Sequence, residues 1–181
     1  MIPNPQNAAG TEPALPGRWA AELEPQLAAG EKTRAWLEID LDARLRFAAG
    51  VVLVTDRRLL ARAPGDGKWQ EWPLRAGLVL NHHDHAGVGA LELVDANGRL
   101  AHWRYTLSRN LAALRVISEF DLHRDSIASG QPVLRSTDDI CPKCKAPIPP
   151  GEDECPICTR TETAAPSTWT LFRLWRFARP Y

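Results

Sequence analysis

The sequence predicts a mainly β protein of the α+β class, with seven short strands and a helix, followed by a small four-cysteine segment. Three observations predict this class. Apolar and polar residues alternate with period two in AWLEIDLD at 35–42, and six further strand-like runs follow it. Short stretches rich in Gly, Pro, Asp and Asn separate the alternating runs. All four cysteines of the 181-residue chain lie between positions 141 and 158, after the strand region.

The charge and hydropathy of the chain exclude some functions. Lys and Arg together number 22, as do Asp and Glu, so the net charge of the chain is zero. Charge therefore gives no support for binding nucleic acid. The N-terminus has neither the charged start nor the apolar run of a signal peptide, so we do not expect export. No window reaches the roughly 18 to 20 apolar residues that a membrane-spanning helix needs.

The first 30 residues divide into two predicted segments. Residues 1–17 are rich in proline and glycine and have few side chains to bury, which predicts a disordered tail. Residues 18–30 contain Ala, Leu and Glu at helical density, with Gly30 at the end, which predicts a short helix.

Seven runs within 34–125 are predicted to be strands. They read AWLEIDLD, AGVVLVTD, RLLARAP, WQEWPL, LVLNHHDH, GALELVD and RLAHWRY. From about Leu107, apolar residues recur at three- and four-residue steps, which predicts an amphipathic helix packed on the sheet. These residues are Leu107, Leu111, Leu114, Ile117 and Phe120. The segment 126–138 is predicted to be a linker.

This succession of strands and one C-terminal helix resembles the pleckstrin-homology (PH) superfold. VLVTDRRLL at 52–60 is similar to the second-to-third strand hairpin of bacterial PH-like and GRAM-like domains. The resemblance implies that 34–125 is a PH-like seven-strand barrel or sandwich with a C-terminal helix. A plain seven-strand sandwich or small barrel is the alternative interpretation.

The run NHHDH at 81–85 suggests a metal site, because His82, His83 and His85 carry imidazoles, which bind zinc or copper. In a strand, however, His83 and His85 share one face, and two imidazoles are too few for a closed zinc site. We favour a polar strand end, and the role of these histidines stays open. The chain contains no GxSxG and no GxxxxGK motif, so we predict no enzymatic activity for it.

The four cysteines form two C-x-x-C pairs, Cys141 with Cys144 and Cys155 with Cys158, in the predicted unit 139–160. Two such pairs can place four thiolates around one zinc ion, so the predicted cofactor is one structural zinc per chain, bound in a zinc ribbon. Such a closed site stabilises the fold and leaves no open position for chemistry.

Two other interpretations of the cysteines are weaker. A redox pair would need one reactive C-x-x-C at the start of a helix, and disulfides would need an oxidising compartment. The surrounding charge also argues against nucleic acid as a partner. Between 138 and 160, five acidic residues outnumber three basic ones, and four thiolates around Zn²⁺ add about two further negative charges.

After a linker at 161–167, the segment 168–181 reads TWTLFRLWRFARPY and is predicted to be a short amphipathic helix. Aromatic residues beside arginines are typical of a helix that lies in a membrane interface. The residues expected to contact the membrane are Trp169, Phe172, Arg173, Trp175, Arg176 and Arg179. The alternative is a helix that packs on the sheet domain.

LFRLWRFARPY resembles the cytosolic elbow helix that precedes the first membrane span of ABC exporters. The order of PH-like domain, four-cysteine ribbon and elbow helix resembles the N-terminal cytosolic region of bacterial ABC transporters associated with cyanophycin metabolism. This resemblance implies a non-catalytic accessory or regulatory module of an ATP-driven exporter, truncated before its first span.

The same resemblance implies a location and a partner. The module would lie on the cytoplasmic side of the inner membrane, next to the remainder of the transporter membrane domain, and ATP binding would belong to the parent protein. The alternative is a free-standing cytosolic adaptor, whose PH-like domain binds a protein or a lipid headgroup.

Overall fold

The computed structural model describes residues 15–65, 67–133, 140–144, 146–148, 154–155 and 157–159. Most of the predicted tail 1–17, the linker 161–167 and the amphipathic segment 168–181 lie outside these residues. The described part forms two α-helices and seven strands, in the order α1 (Gly17–Leu23), β1 (Thr33–Leu41), β2 (Phe47–Thr55), β3 (Arg58–Arg62), β4 (Gln70–Pro73), β5 (Val79–His85), β6 (Val88–Asp95), β7 (Gly98–Thr106) and α2 (Asn110–Ser129).

The seven strands form one open antiparallel sheet with the order β4-β3-β2-β1-β7-β6-β5. Its two halves, β1 to β4 and β5 to β7, meet at β1, where Leu41 lies opposite Arg104 of β7. Among the described residues β4 and β5 are the two edges and do not pair, so hydrogen bonds do not close the sheet into a barrel. The prediction of a mainly β unit with seven strands and a following helix is confirmed.

The main core lies between α2 and one face of the sheet. Because side chains alternate along a strand, Leu37 and Ile39 of β1 both reach this core, and both are fully buried. β6 and β7 contribute Leu91 and Tyr105, and α2 contributes Phe120, all without exposed surface. Burying each such side chain stabilises the fold by roughly 1.5 to 3 kcal/mol.

The opposite face of the β1–β3 region is covered by α1, which is shorter than the helix we predicted at 18–30. Trp19 and Leu23 of α1 pack against the second face of the sheet. The α-helix ends at Leu23, and a 3₁₀ turn, Glu24–Gln26, follows it. Pro25 is the physical reason, because proline has no N–H to donate and its ring clashes with the preceding helical turn.

α2 is longer than predicted and faces the sheet with different residues. It ends at Ser129, inside the predicted linker 126–138, where Gly130 adopts the left-handed conformation (φ 67°) that commonly terminates helices. The predicted sheet-facing stripe was wrong in part, since Leu111 belongs to the cysteine cluster instead. The α2 residues that contact the main core are Ala112, Ala113, Val116 and Phe120, with Ile117 partly buried beside them.

Neither described helix combines the length and the apolar character that crossing a membrane requires.

Candidate metal centre

The four predicted cysteines converge in space. The Sγ atoms of Cys141 and Cys158 are 3.8 Å apart, and those of Cys144 and Cys155 are 3.4 Å apart. All four Sγ atoms lie within 4.8 Å of one another. A tetrahedral zinc site with Zn–S bonds of about 2.3 Å requires S···S separations of about 3.8 Å. The cysteine side chains are therefore already arranged at the spacing that one tetrahedral metal ion needs.

Each C-x-x-C pair is shaped by local backbone hydrogen bonds. In the first pair, the backbone N–H of Cys141 donates to the carbonyl of Ala146 at 2.9 Å, and Ile140 forms an antiparallel bridge with Pro147. In the second pair, the N–H of Thr159 donates to the carbonyl of Cys155 at 3.0 Å. These hydrogen bonds form one turn around each pair of cysteines.

Three of the four thiols have shifted pKa values, and the shifts differ in direction. Backbone N–H groups of Cys144 and Lys143 donate toward the sulfur of Cys141 and lower its pKa. Burial raises the pKa of Cys144 despite an opposing hydrogen bond from the backbone of Ala146. Burial also raises the pKa of Cys158, and the neighbouring thiols raise it further. Four thiolates this close repel one another, so a bound divalent cation would favour their joint ionisation. The donor set therefore fits a soft or borderline metal ion.

The cysteine cluster packs against the start of α2. Leu111 lies in one cluster with Cys141, Ala146 and Cys155, all of which are buried. Arg115, one helical turn later, lies near enough to interact electrostatically with Cys144. Its positive charge partly offsets the net charge of about −2 that Zn²⁺ and four thiolates carry. Sequence analysis did not single out either contact, because helical spacing alone does not show that α2 has two buried faces.

The histidines of β5 do not form a comparable site. His82 stacks on Tyr105, with ring centroids 6.4 Å apart, while His83 and His85 are exposed. His83 Nε2 is 3.9 Å from the carboxylate of Glu92. In the part of the chain that the structure describes, no group of three potential ligands converges around these histidines. This arrangement agrees with the interpretation of NHHDH as a polar strand end.

Comparison of the chain with protein-family models, with curated proteins and with solved structures found no match. These comparisons therefore do not connect the chain to the exporter family that its sequence resembles.

Proposed function

We propose that Cys141, Cys144, Cys155 and Cys158 bind one structural zinc ion in a zinc ribbon. The observation that carries this proposal is the convergence of the four Sγ atoms within 4.8 Å. A tetrahedral site with four sulfur ligands suits zinc or iron, and zinc suits a purely structural role because it has no redox chemistry. With all four positions filled by protein, the site binds no substrate.

Elemental analysis of the purified 181-residue chain, with its thiols reduced, tests this proposal. We expect about one equivalent of zinc per chain. The His83→Ala, His85→Ala double variant is the matched control and should keep the same zinc content, because those imidazoles lie outside the cysteine cluster. Stoichiometric iron would contradict zinc as the metal, and a metal content well below half an equivalent would contradict the site itself.

We propose further that the seven-strand unit is PH-like and that the chain is a non-catalytic regulatory module of an ATP-driven exporter. Support for the PH-like fold comes from the strand order β4-β3-β2-β1-β7-β6-β5 and the single helix that follows β7. Support for the exporter comes from the sequence resemblance of LFRLWRFARPY to an elbow helix. The packing of the cysteine cluster on α2 suits a short, stiff spacer between this unit and the membrane.

The coding sequence downstream of the Tyr181 codon tests the exporter proposal directly. We expect an apolar run long enough to span a bilayer, and a P-loop motif some hundreds of residues later. A stop codon directly after Tyr181 would contradict the exporter proposal. It would favour the free-standing adaptor, whose PH-like domain binds a protein or a lipid headgroup.

A further inference from the structure

The four cysteines differ in their exposure to solvent. Cys141 and Cys155 are buried, whereas Cys144 and Cys158 are partly exposed. Each of the two close sulfur pairs, Cys141 with Cys158 and Cys144 with Cys155, joins one buried cysteine to one partly exposed cysteine. An oxidant from solvent therefore has access to one sulfur of each pair, and the second sulfur lies directly beside it.

Both close pairs cross between the two C-x-x-C turns. Cys144 of the first turn lies 3.4 Å from Cys155 of the second, measured between the Sγ atoms, and Cys141 lies 3.8 Å from Cys158. The separation between Cys144 and Cys155 is also shorter than the about 3.8 Å expected between two sulfurs of a tetrahedral zinc site. Of the two crossing contacts, this one is the nearer to a bond.

A positive charge distinguishes Cys144 from Cys158, the other partly exposed cysteine. Arg115 of α2 is half-buried and interacts electrostatically with Cys144. Reactive cysteines are typically partly exposed and lie beside a cation, which stabilises the thiolate. Cysteines that are oxidised reversibly also have a second cysteine close by, which resolves the oxidised form into a disulfide. Cys144 meets all three conditions, with Cys155 as the second cysteine.

We propose that Cys144 is the site at which a peroxide oxidises this protein, and that Cys155 completes the reaction by forming a disulfide with Cys144. The inference rests on the zinc site proposed above and adds an oxidation-dependent release of the metal to it. A thiol bound to Zn²⁺ is deprotonated even where burial disfavours the thiolate, so the loaded site supplies the nucleophile.

The reaction balances with hydrogen peroxide as the oxidant. The Cys144 thiolate attacks one peroxide oxygen, the O–O bond breaks, and the departing hydroxide takes up a proton to give water. The Cys155 thiolate then attacks the sulfur of the resulting sulfenic acid, the S–S bond forms as the S–O bond breaks, and a second hydroxide is protonated to water. The two thiolates thus lose two electrons, and the peroxide gains them.

The disulfide would open the metal site. Cys141 and Cys158 alone are too few ligands for a closed zinc site, so zinc would be released. Because Cys155 packs with Leu111 at the start of α2, the oxidation state of the site would also affect the sheet unit. A dithiol reductant would exchange with the disulfide and restore both thiols.

Treatment of the zinc-loaded 181-residue chain with a slight excess of hydrogen peroxide tests this proposal. A chromophoric chelator measures the released zinc, and mass spectrometry after alkylation and trypsin digestion maps the disulfides. Trypsin cleaves after Lys143 and Lys145, so Cys141, Cys144 and the second C-x-x-C pair fall on three peptides. We expect zinc release to match the yield of the disulfide between Cys144 and Cys155, and dithiothreitol to reverse both.

Three variants test the role of Arg115. Arg115→Gln should slow peroxide-dependent zinc release about fivefold, because a neutral amide stabilises the charge on the departing oxygen less well. Arg115→Lys keeps the charge and should stay within about twofold of the parent chain. The matched control is Arg57→Gln, which removes an exposed cation between β2 and β3 and should not change the rate. Zinc content and release without peroxide are measured first for each variant.

Several results would contradict the proposal. With zinc bound, a first disulfide inside either C-x-x-C pair, or one between Cys141 and Cys158, would overturn it. Zinc release that dithiothreitol does not reverse, or a site that resists peroxide, would do the same. Equal rates for Arg115→Gln and Arg57→Gln would contradict the role of Arg115. A chain purified without metal would instead contradict the zinc site, and its disulfide map would still test the pairing of Cys144 with Cys155.

Discussion

At the residue scale, Glu31 ties three parts of the sheet unit together. Its carboxylate accepts hydrogen bonds from Arg58 Nε (2.9 Å), from the Thr55 hydroxyl (2.7 Å) and from the backbone N–H of Ala28 (2.9 Å). Arg58 also donates to the carbonyl of Gln26 at 2.7 Å. Burial by itself would raise the pKa of Glu31, but these hydrogen bonds outweigh it and hold the pKa at about 2. A buried, ionised carboxylate therefore joins the β2–β3 hairpin to the chain that follows α1.

We expect Glu31→Gln to destabilise the fold by roughly 2 to 3 kcal/mol at neutral pH, because the hydrogen-bonded charge is lost. The folded-state pKa of Glu31 lies below the ordinary value of 4.5, so its contribution is complete above that value. The contribution is lost as the pH falls from about 5 to about 2, because protonation then favours the unfolded chain. Urea unfolding at pH 7 and pH 3 measures this change.

Glu71→Gln is the matched control for Glu31→Gln, since Glu71 pairs with the same arginine but its side chain is 58% exposed. Its effect should be below about 1 kcal/mol at either pH. Equal effects of the two substitutions, or a loss from Glu31→Gln that does not depend on pH, would contradict the assigned role of Glu31.

At the scale of elements, α2 separates two packing environments. Ala112 and Ala113 face the sheet core, where their small side chains allow a close approach, while Leu111 faces the cysteine cluster. Because successive helical residues are 100° apart, adjacent positions point in different directions. The helix thus connects the folding of the sheet to that of the cysteine segment.

We expect Leu111→Ala to weaken zinc binding about tenfold, because about 1.4 kcal/mol of packing against the cysteine cluster would be lost. Competition with a chromophoric chelator measures this affinity. Ile127→Ala, at an exposed position of the same helix, is the control and should leave the affinity unchanged. Equal affinities for the two variants would show that the packing of Leu111 on the cysteines does not stabilise the metal site.

At the scale of the whole molecule, the sheet and the cysteine segment draw on different sources of stability. The sheet buries an extensive apolar core, whereas the described cysteine segment buries few apolar side chains besides the cysteines themselves. Metal binding would supply the missing folding free energy of the second unit. Because the two units are in contact at Leu111 and Arg115, loss of a bound metal would affect the sheet unit through α2.

We expect Cys155→Ser to abolish zinc binding while the sheet unit still unfolds cooperatively. Its melting temperature should fall by about 5 °C, because loss of the docked segment exposes Leu111 and removes about 1 kcal/mol. Circular dichroism during thermal unfolding measures this change, and the parent chain treated with a chelator should give the same curve. Complete loss of the sheet signal in the variant would show that the metal is needed for the whole fold, and an unchanged melting temperature would show that the two units are independent.

The sequence by itself determined the features that depend on neighbouring residues. Alternation in AWLEIDLD and the turn residues that bound the six later runs predicted all seven strands. The spacing of Cys141, Cys144, Cys155 and Cys158 predicted a cluster whose sulfur atoms do converge. One wrong prediction also concerned a local feature. The helix predicted at 18–30 was too long, although Pro25 could have been recognised as the residue that ends α1. These features can be predicted from the sequence because each depends on residues within one element or one short segment.

Only the tertiary structure decided which faces of the helices and strands, and which charged side chains, come into contact. Helical spacing placed Leu111 on the sheet-facing stripe, and only contact with Cys141 and Cys155 shows that α2 has a second buried side. Likewise, the link between Glu31 and Arg58 joins residues that no local pattern relates. In the RLRF run, the apolar residues alternate as they would in a half-buried strand, yet Leu45 and Phe47 are exposed, since none of the described elements covers them. Burial and pairing of this kind are properties of contacts between distant segments, and such contacts exist only once the chain has folded.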